Sequence, residues 1–306
     1  MNLTPAEIAS LRALPCRELM SRALETKLAR RGKSLSLCSI INAKSGQCSE
    51  DCRFCTQSIH FKTDTPVYPL KTAEEIIAAA RRAREDGASH FSIVTSGRGI
   101  SARSLPALAD IIASIKDQVD IHVCASLGIA SYQDLQALKQ AGLSRYHHNL
   151  ETSREFFPSI VTTHTFADRI ATIQAAQQAG LEVCAGGIIG LGESETDRIS
   201  MAVTLAELQV ESVPINILIP LAGTPLAQIK HLAIQEILRT IALFRLILPD
   251  AALRLAAGRE SALHDFLSSA FMAGADGMMI GGYLTQRGRS TEMDRQFVQA
   301  IEDLWQ

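Results

Sequence analysis

Apolar positions along this chain switch between two periods. From Leu35 the run Ser-Leu-Ser-Leu-Cys-Ser-Ile-Ile-Asn alternates and then turns apolar, as a strand buried on both faces does. Residues Thr72 to Glu85 instead repeat apolar positions at helical spacing and stop at Gly87. The exchange then recurs. Strands are predicted at His90–Thr95, Asp120–Ser126, Ser144–Leu150, Leu181–Ile189, Val213–Ile219, Ala252–Ala256 and Gly277–Gly281. Between them lie helices at Leu105–Lys116, Tyr132–Ala141, Ala167–Ala179, Thr196–Leu208, Ile234–Leu246 and Ser261–Met272. With the first strand the count is eight, each followed by a helix or the chain end, which is the order of an α/β TIM-type (β/α)8 barrel. A doubly wound open sheet is the alternative, but no Gly-x-Gly-x-x-Gly follows the first strand. Residues 1–33 read as an N-terminal helical extension, with Pro5 near a helix start and a basic end at Gly32. Residues 34–285 form the barrel core and 286–306 a C-terminal extension of the same single domain.

Composition narrows the function classes. Hydrophobic residues make up 47% and charged residues 20%, enough for a large core. With 30 basic against 32 acidic residues, the charge balance gives no footing for nucleic acid. No apolar run reaches the length of a membrane span, and Met1-Asn-Leu-Thr-Pro-Ala-Glu lacks a basic-then-apolar leader, so a cytoplasmic protein is expected. Seven cysteines in that setting point to metal or redox chemistry rather than disulfides.

Three of the seven lie in Cys48-Ser-Glu-Asp-Cys52-Arg-Phe-Cys55, directly after the first strand. Three thiolates hold three corners of an iron–sulfur cube and leave one iron open to a small molecule. A zinc site would want a fourth Cys or His nearby, and structural thiols would sit on apolar faces rather than among Ser, Glu, Asp and Arg. Cys38, Cys124, Cys184 and Arg254 fall on the first, third, fifth and seventh strands. Barrel interiors are filled in layers from alternate strands, so these four are expected to share one layer. An unpartnered buried Arg is costly. A second cluster would offset its charge; the alternative is three small core-filling cysteines. Cys16 has no companion and reads as an ordinary thiol.

Several stretches together resemble the biotin synthase family of radical S-adenosylmethionine enzymes. They are Cys48–Ser58, with Phe54 before the last cysteine, His148-Asn-Leu-Glu-Thr-Ser153 and Cys184-Ala-Gly-Gly-Ile-Ile-Gly-Leu-Gly-Glu193. Ser212-Val-Pro-Ile-Asn-Ile-Leu218, Gly223-Thr-Pro-Leu226 and Arg254-Leu-Ala-Ala-Gly-Arg-Glu260 complete the set. The likeness runs from about Leu35 to Thr285. It implies a [4Fe–4S] cluster on Cys48, Cys52 and Cys55, S-adenosylmethionine, and sulfur insertion into dethiobiotin from an auxiliary iron–sulfur cluster. It also implies contacts to S-adenosylmethionine from Phe54, Thr95, Ser96, Glu151, Arg169, Gly190 and Glu193, with Glu151 on the ribose and Arg169 near the methionine carboxylate. Asn149, Asn216 and His147 fall near the dethiobiotin ring, and Thr285, Gln286 and Arg287, with Arg289 close by, near its carboxylate. An electron donor such as flavodoxin or ferredoxin and a homodimer come with the resemblance.

The chain departs from the family's commonest pattern in three places. Ser92 stands where a second-strand cluster cysteine is usual, Cys38 appears on the first strand, and His147 replaces an Asn. The first two read as one thiolate lost and one gained, so the auxiliary cluster is expected on Cys38, Cys124, Cys184 and Arg254. A four-iron cubane with an open iron is favoured over [2Fe–2S]. Relatives that share only the first motif, such as hydrogenase-maturation enzymes and the methylornithine mutase, are the competing enzymatic reading. A non-enzymatic iron–sulfur protein is the competing one of another class.

Overall fold

The computed structural model describes residues 3–284 and 288–306. Two helices, α1 (Pro5–Arg12) and α2 (Cys16–Arg31), precede the first strand. The helical extension expected over 1–33 is thus two helices that part at Pro15, whose ring cannot continue the i→i−4 ladder. The barrel then runs β1 (Ser36–Lys44), α3 (Ala73–Glu85), β2 (His90–Thr95), α4 (Leu105–Gln118), β3 (His122–Ser126), α5 (Tyr132–Gln140), β4 (Arg145–His147) and α6 (Phe166–Gln178). It continues with β5 (Glu182–Cys184), β6 (Gly187–Ile189), α7 (Glu195–Glu207), β7 (Ser212–Ile217), α8 (Ile234–Ile247), β8 (Ala252–Leu255), α9 (Arg259–Leu263), α10 (Leu267–Met272) and β9 (Gly277–Met279). A last helix, α11, spans Thr291–Leu304.

Every strand pair is parallel. β1 pairs with both β2 and β9, and the ring closes where β7 takes β5 at Cys184↔Ser212 and β6 higher up. β5 and β6 share the fifth barrel position, so the expected strand Leu181–Ile189 exists in two pieces. The break lies at Gly186, whose Cα comes so near β7 that a Cβ would stand 2.1 Å from the Pro214 carbonyl oxygen. Side chains facing the helices, such as Phe91, Ile93, Val123, Val213 and Leu253, are fully buried or nearly so.

The helices that follow the site-bearing loops start at capping boxes. Thr72 with Glu75, Ser131 with Asp134, Thr165 with Asp168 and Ser194 with Asp197 each exchange side-chain and backbone hydrogen bonds. Such reciprocal caps satisfy helix donors and fix where each loop must end. At the chain's close, α11 docks through Glu302, which accepts from Leu35 N at 2.6 Å, and Trp305, whose ring lies 3.9 Å from the buried Lys27 ammonium. Among the described residues no helix is long and apolar enough to cross a membrane.

Candidate active site

The loop after β1 leaves the sheet through Gly46 and Gln47, both with left-handed φ (75° and 53°). Its polar residues then wire it in place. The Gln57 carboxamide oxygen accepts from Gly46 N and from Ser45 Oγ, both at 3.1 Å. Ser96 at the end of β2 donates to the Gly46 carbonyl at 2.6 Å, and Ser58 to the Glu50 carbonyl at 2.6 Å. The two acids inside the motif reach outward. Asp51 accepts from Thr162 N (2.9 Å), Thr163 N (3.2 Å) and both threonine hydroxyls. Partial burial opposes its charge, but these donors prevail and hold its carboxyl at about 2. Glu50 takes Thr163 Oγ1 at 2.8 Å and His164 Nδ1 at 2.5 Å. The 160s segment is thereby clamped to the cysteine loop, an arrangement the sequence did not reveal because the partners lie over a hundred positions apart.

Cys48, Cys52 and Cys55 line the upper part of a cavity of about 430 Å³ that continues down the barrel axis. Burial pushes the Cys52 thiol far up and the Cys55 thiol to about 11. The same cavity is lined lower down by Cys38, Cys124, Cys184 and Arg254, so the residues expected to share a layer do face one space. Burial raises Cys38, and raises Cys124 to about 12. Cys184 moves the other way, to about 7, because the charge of His147, its hydrogen bond and the nearby Arg145 outweigh burial. Arg254 Nε donates to Ser212 Oγ at 3.1 Å, while its Nη1 is buried and without a partner. His90, which lines the cavity floor and stacks on His122 with ring centroids 4.9 Å apart, is held neutral at about 3, chiefly by burial.

The polar residues that follow β4, with Asn216 of β7, line the same cavity. β4 is shorter than expected, and His148 to Glu151 form a turn in which Leu150 N and Glu151 N both reach the Gly186 carbonyl. Glu151 has φ of 70°, and its own carbonyl accepts from Ile188 N at 2.8 Å. Gly187 permits that approach, since a Cβ there would stand 2.4 Å from the Glu151 oxygen. The Glu151 carboxylate meets Arg169 Nη1 at 3.4 Å, and Arg169 also donates to Asn149 O at 2.9 Å; its buried Nε has no partner. Asn149 spends its oxygen on Gly186 N and one amide hydrogen on Glu151, at 3.1 and 3.3 Å. Asn216 donates to the Gly187 carbonyl at 3.1 Å and accepts from Ala257 N at 3.2 Å. Each carboxamide still has a second donor and a second lone pair on the cavity wall.

Phe54, Thr95, Ser96, His147, Asn149, Glu151, Arg169 and Asn216 all line the cavity. Gly190 and Glu193 do not. Glu193 accepts from Gly190 N and from Arg198, both at 2.9 Å, so it braces its own loop from behind. Thr285, Gln286 and Arg287 lie outside the described residues. Arg289 turns its backbone N–H to Glu260 at 2.9 Å and its side chain toward Asp294 at 3.7 Å. Arg145 and Arg98 are cavity-lining charges that sequence reading passed over.

Both thiol sets suit iron–sulfur clusters. Among the described residues no three Cys, His, Asp or Glu side chains converge on one point as a single metal ion would require. A cluster instead spreads its thiolates over separate irons. The unpartnered Arg254 Nη1 beside three thiols calls for an anionic occupant. The unpartnered Arg169 Nε beside Glu151 suits a zwitterionic ligand above.

Comparison with known proteins gives the family. Residues 44–205 match the radical SAM superfamily, and residues 214–302 the Biotin and Thiamin Synthesis associated domain. The chain is 52% identical over 281 residues to the biotin synthase of Pelotomaculum thermopropionicum, covering 92% of this chain and 88% of that one. It is 47% identical over 296 residues to the biotin synthase of Geotalea daltonii, covering 96% and 90%. Among solved structures, methylornithine synthase superposes with a TM-score of 0.84 at 18% identity, covering 98% of this chain and 93% of that one. The hydrogenase maturase HydG from Carboxydothermus hydrogenoformans gives 0.83 at 19% identity, covering 98% and 75%. At such identities the structures speak for the barrel fold alone.

Proposed function

This chain belongs to the biotin synthase family, and from that premise we propose how its own residues divide the work. The enzyme converts dethiobiotin to biotin with a [4Fe–4S] cluster, S-adenosylmethionine and an auxiliary iron–sulfur cluster. When bound, the first cluster and S-adenosylmethionine supply a carbon radical that abstracts hydrogen, and the auxiliary cluster supplies the sulfur.

Cys48, Cys52 and Cys55 hold the first cluster, on a loop that Glu50 and Asp51 fasten to Thr162, Thr163 and His164. Glu151 accepts from the ribose hydroxyls of S-adenosylmethionine. Arg169 faces the methionine carboxylate with the guanidinium edge that Asn149 O and Glu151 leave free. Asn149 and Asn216 offer dethiobiotin the donor and acceptor not already given to Gly186, Gly187, Glu151 and Ala257. Because each amide is fixed at both ends by those bonds, it presents its remaining groups without loss of rotamer freedom. Cys38, Cys124, Cys184 and Arg254 hold the auxiliary cluster at the lower end. The observation that carries this reading is the single cavity lined by both thiol sets and by Asn149 and Asn216. An electron donor of the flavodoxin or ferredoxin type would approach where the cysteine loop reaches the surface, beside Ile59, which is 57% exposed. A homodimer remains part of the same reading.

Anaerobically reconstituted protein given dethiobiotin, S-adenosylmethionine and a reductant is expected to form biotin, releasing one methionine for each carbon from which hydrogen is taken. Methionine release without biotin would replace this reading with another radical reaction. No release at all from protein loaded with iron would leave a non-enzymatic iron–sulfur protein.

A further inference from the structure

We propose that Arg145 is a second fixed cation of the lower cavity and that, held by Glu182, it sets the charge met by the auxiliary cluster. The inference rests on the reading of Cys38, Cys124 and Cys184 as that cluster's ligands. Arg145 pairs in register with Cys124 on one side and Glu182 on the other. Its side chain points into the barrel, is about nine-tenths buried, and lines the same cavity as the three thiols and Arg254.

The guanidinium is held along one edge only. Nε and Nη2 both donate to a single Glu182 oxygen, at 2.9 and 2.6 Å. That carboxylate belongs to a side chain 52% exposed at the barrel's lower rim. Water screens an exposed carboxylate, so it neutralises the buried guanidinium incompletely. Nη1 makes no hydrogen bond to Glu182. Arg254 adds a second permanent charge with its own Nη1 unpartnered. Two arginines thus face three thiols. A buried excess of positive charge is stable only beside an anionic group. A cluster gains a further negative charge on reduction, and a fixed cation favours that state. Arg145 is therefore a positioning residue whose effect is read in the cluster's potential, separately from turnover.

The test uses full-length, anaerobically reconstituted protein: wild type, Arg145→Met, Arg145→Lys and Glu182→Gln. Iron content, melting temperature and the auxiliary cluster's reduction potential are measured, with added S-adenosylmethionine used to identify the first cluster by its altered spectrum. Arg145→Met is expected to disfavour reduction about tenfold, a potential about 59 mV lower for one electron. Arg145→Lys is expected to restore most of that shift. Glu182→Gln is expected to raise the potential, although it breaks the same ion pair. The opposite signs separate charge from scaffolding. If both variants lower the melting temperature and neither moves the potential, the pair is structural and the inference fails. If Arg145→Met does not retain the cluster, Glu182→Gln decides: an unchanged or lower potential overturns the proposal. About four irons in wild type would overturn the cluster assignment itself and this inference with it, whereas about eight irons with unmoved potentials would overturn the role of Arg145 alone.

Discussion

Cys38→Ala is expected to abolish conversion of dethiobiotin to biotin while S-adenosylmethionine is still cleaved. Cys38 sits low on β1, where its sulfur lies 3.8 Å from the Met278 carbonyl, and none of the hydrogen bonds that shape the upper loop passes through it. Gly46, Gln57, Ser58, Ser96 and Asp51 keep their partners in the variant. The fold itself should lose little, since the substitution removes one sulfur from a cavity wall and with it only a long thiol hydrogen bond to the Met278 carbonyl. The second cluster, in contrast, loses one of three thiolates. Outer-shell partners of a metal site are worth about 10–100-fold, and a direct ligand is worth at least as much, so biotin formation should fall at least 100-fold. Anaerobic assays that follow methionine and biotin in one reaction check both halves. Undiminished biotin formation would remove Cys38 from the site.

Arg254→Met carries the second large effect, and its sign reverses with loading. Without a cluster, Arg254 is a buried guanidinium with one hydrogen bond to Ser212 and an unpartnered Nη1. Replacing even a paired buried charge with apolar side chains of similar volume is often neutral or stabilises by about 1–4 kcal/mol, and a charge without a counter-ion has less to lose. The apo variant should therefore melt several degrees above the apo wild type. Once the protein is reconstituted, the order should invert, with the variant holding less iron and sulfide at the lower site. Thermal melts of apo and reconstituted protein, run side by side, give both signs. Equal destabilisation in both states would mean that Arg254 is a packing residue whose charge the apo protein already satisfies.

The barrel was legible because two periodicities alternate cleanly and because capping pairs such as Thr165 with Asp168 mark helix starts within four residues of sequence. The misses have local causes. The split between β5 and β6 arises from close packing of Gly186 on the Pro214 carbonyl, a tertiary contact with no signature in an apolar run. α11 is amphipathic, with Val298 and Ile301 buried and Ser290 as its cap, so its signal was present. It was obscured by Asp294, which is fully buried against Arg259 at 2.7 Å and breaks the apolar stripe.

The candidate site shows the same boundary. Cysteine type and strand position were enough to bring both thiol sets to one cavity. Resemblance placed Glu151, Arg169 and both asparagines beside them, but it also implied contacts from Gly190 and Glu193, whereas Arg198 holds Glu193 behind the loop. What sequence spacing did not convey were pairs made across the barrel. Glu50 with His164 and Arg145 with Glu182 join elements whose neighbourhood only the closed sheet creates.

The central claim is that this one barrel holds two clusters, the second on Cys38, Cys124 and Cys184. Iron and sulfide content with Mössbauer spectra of anaerobically reconstituted wild type, beside Cys38→Ala, tests it most directly. About eight irons per chain, all in cubane-type signals and falling toward four in the variant, is the predicted result. About six irons with a [2Fe–2S] signal would contradict the four-iron form of the second cluster, and about four, unchanged by the substitution, would contradict the second cluster altogether.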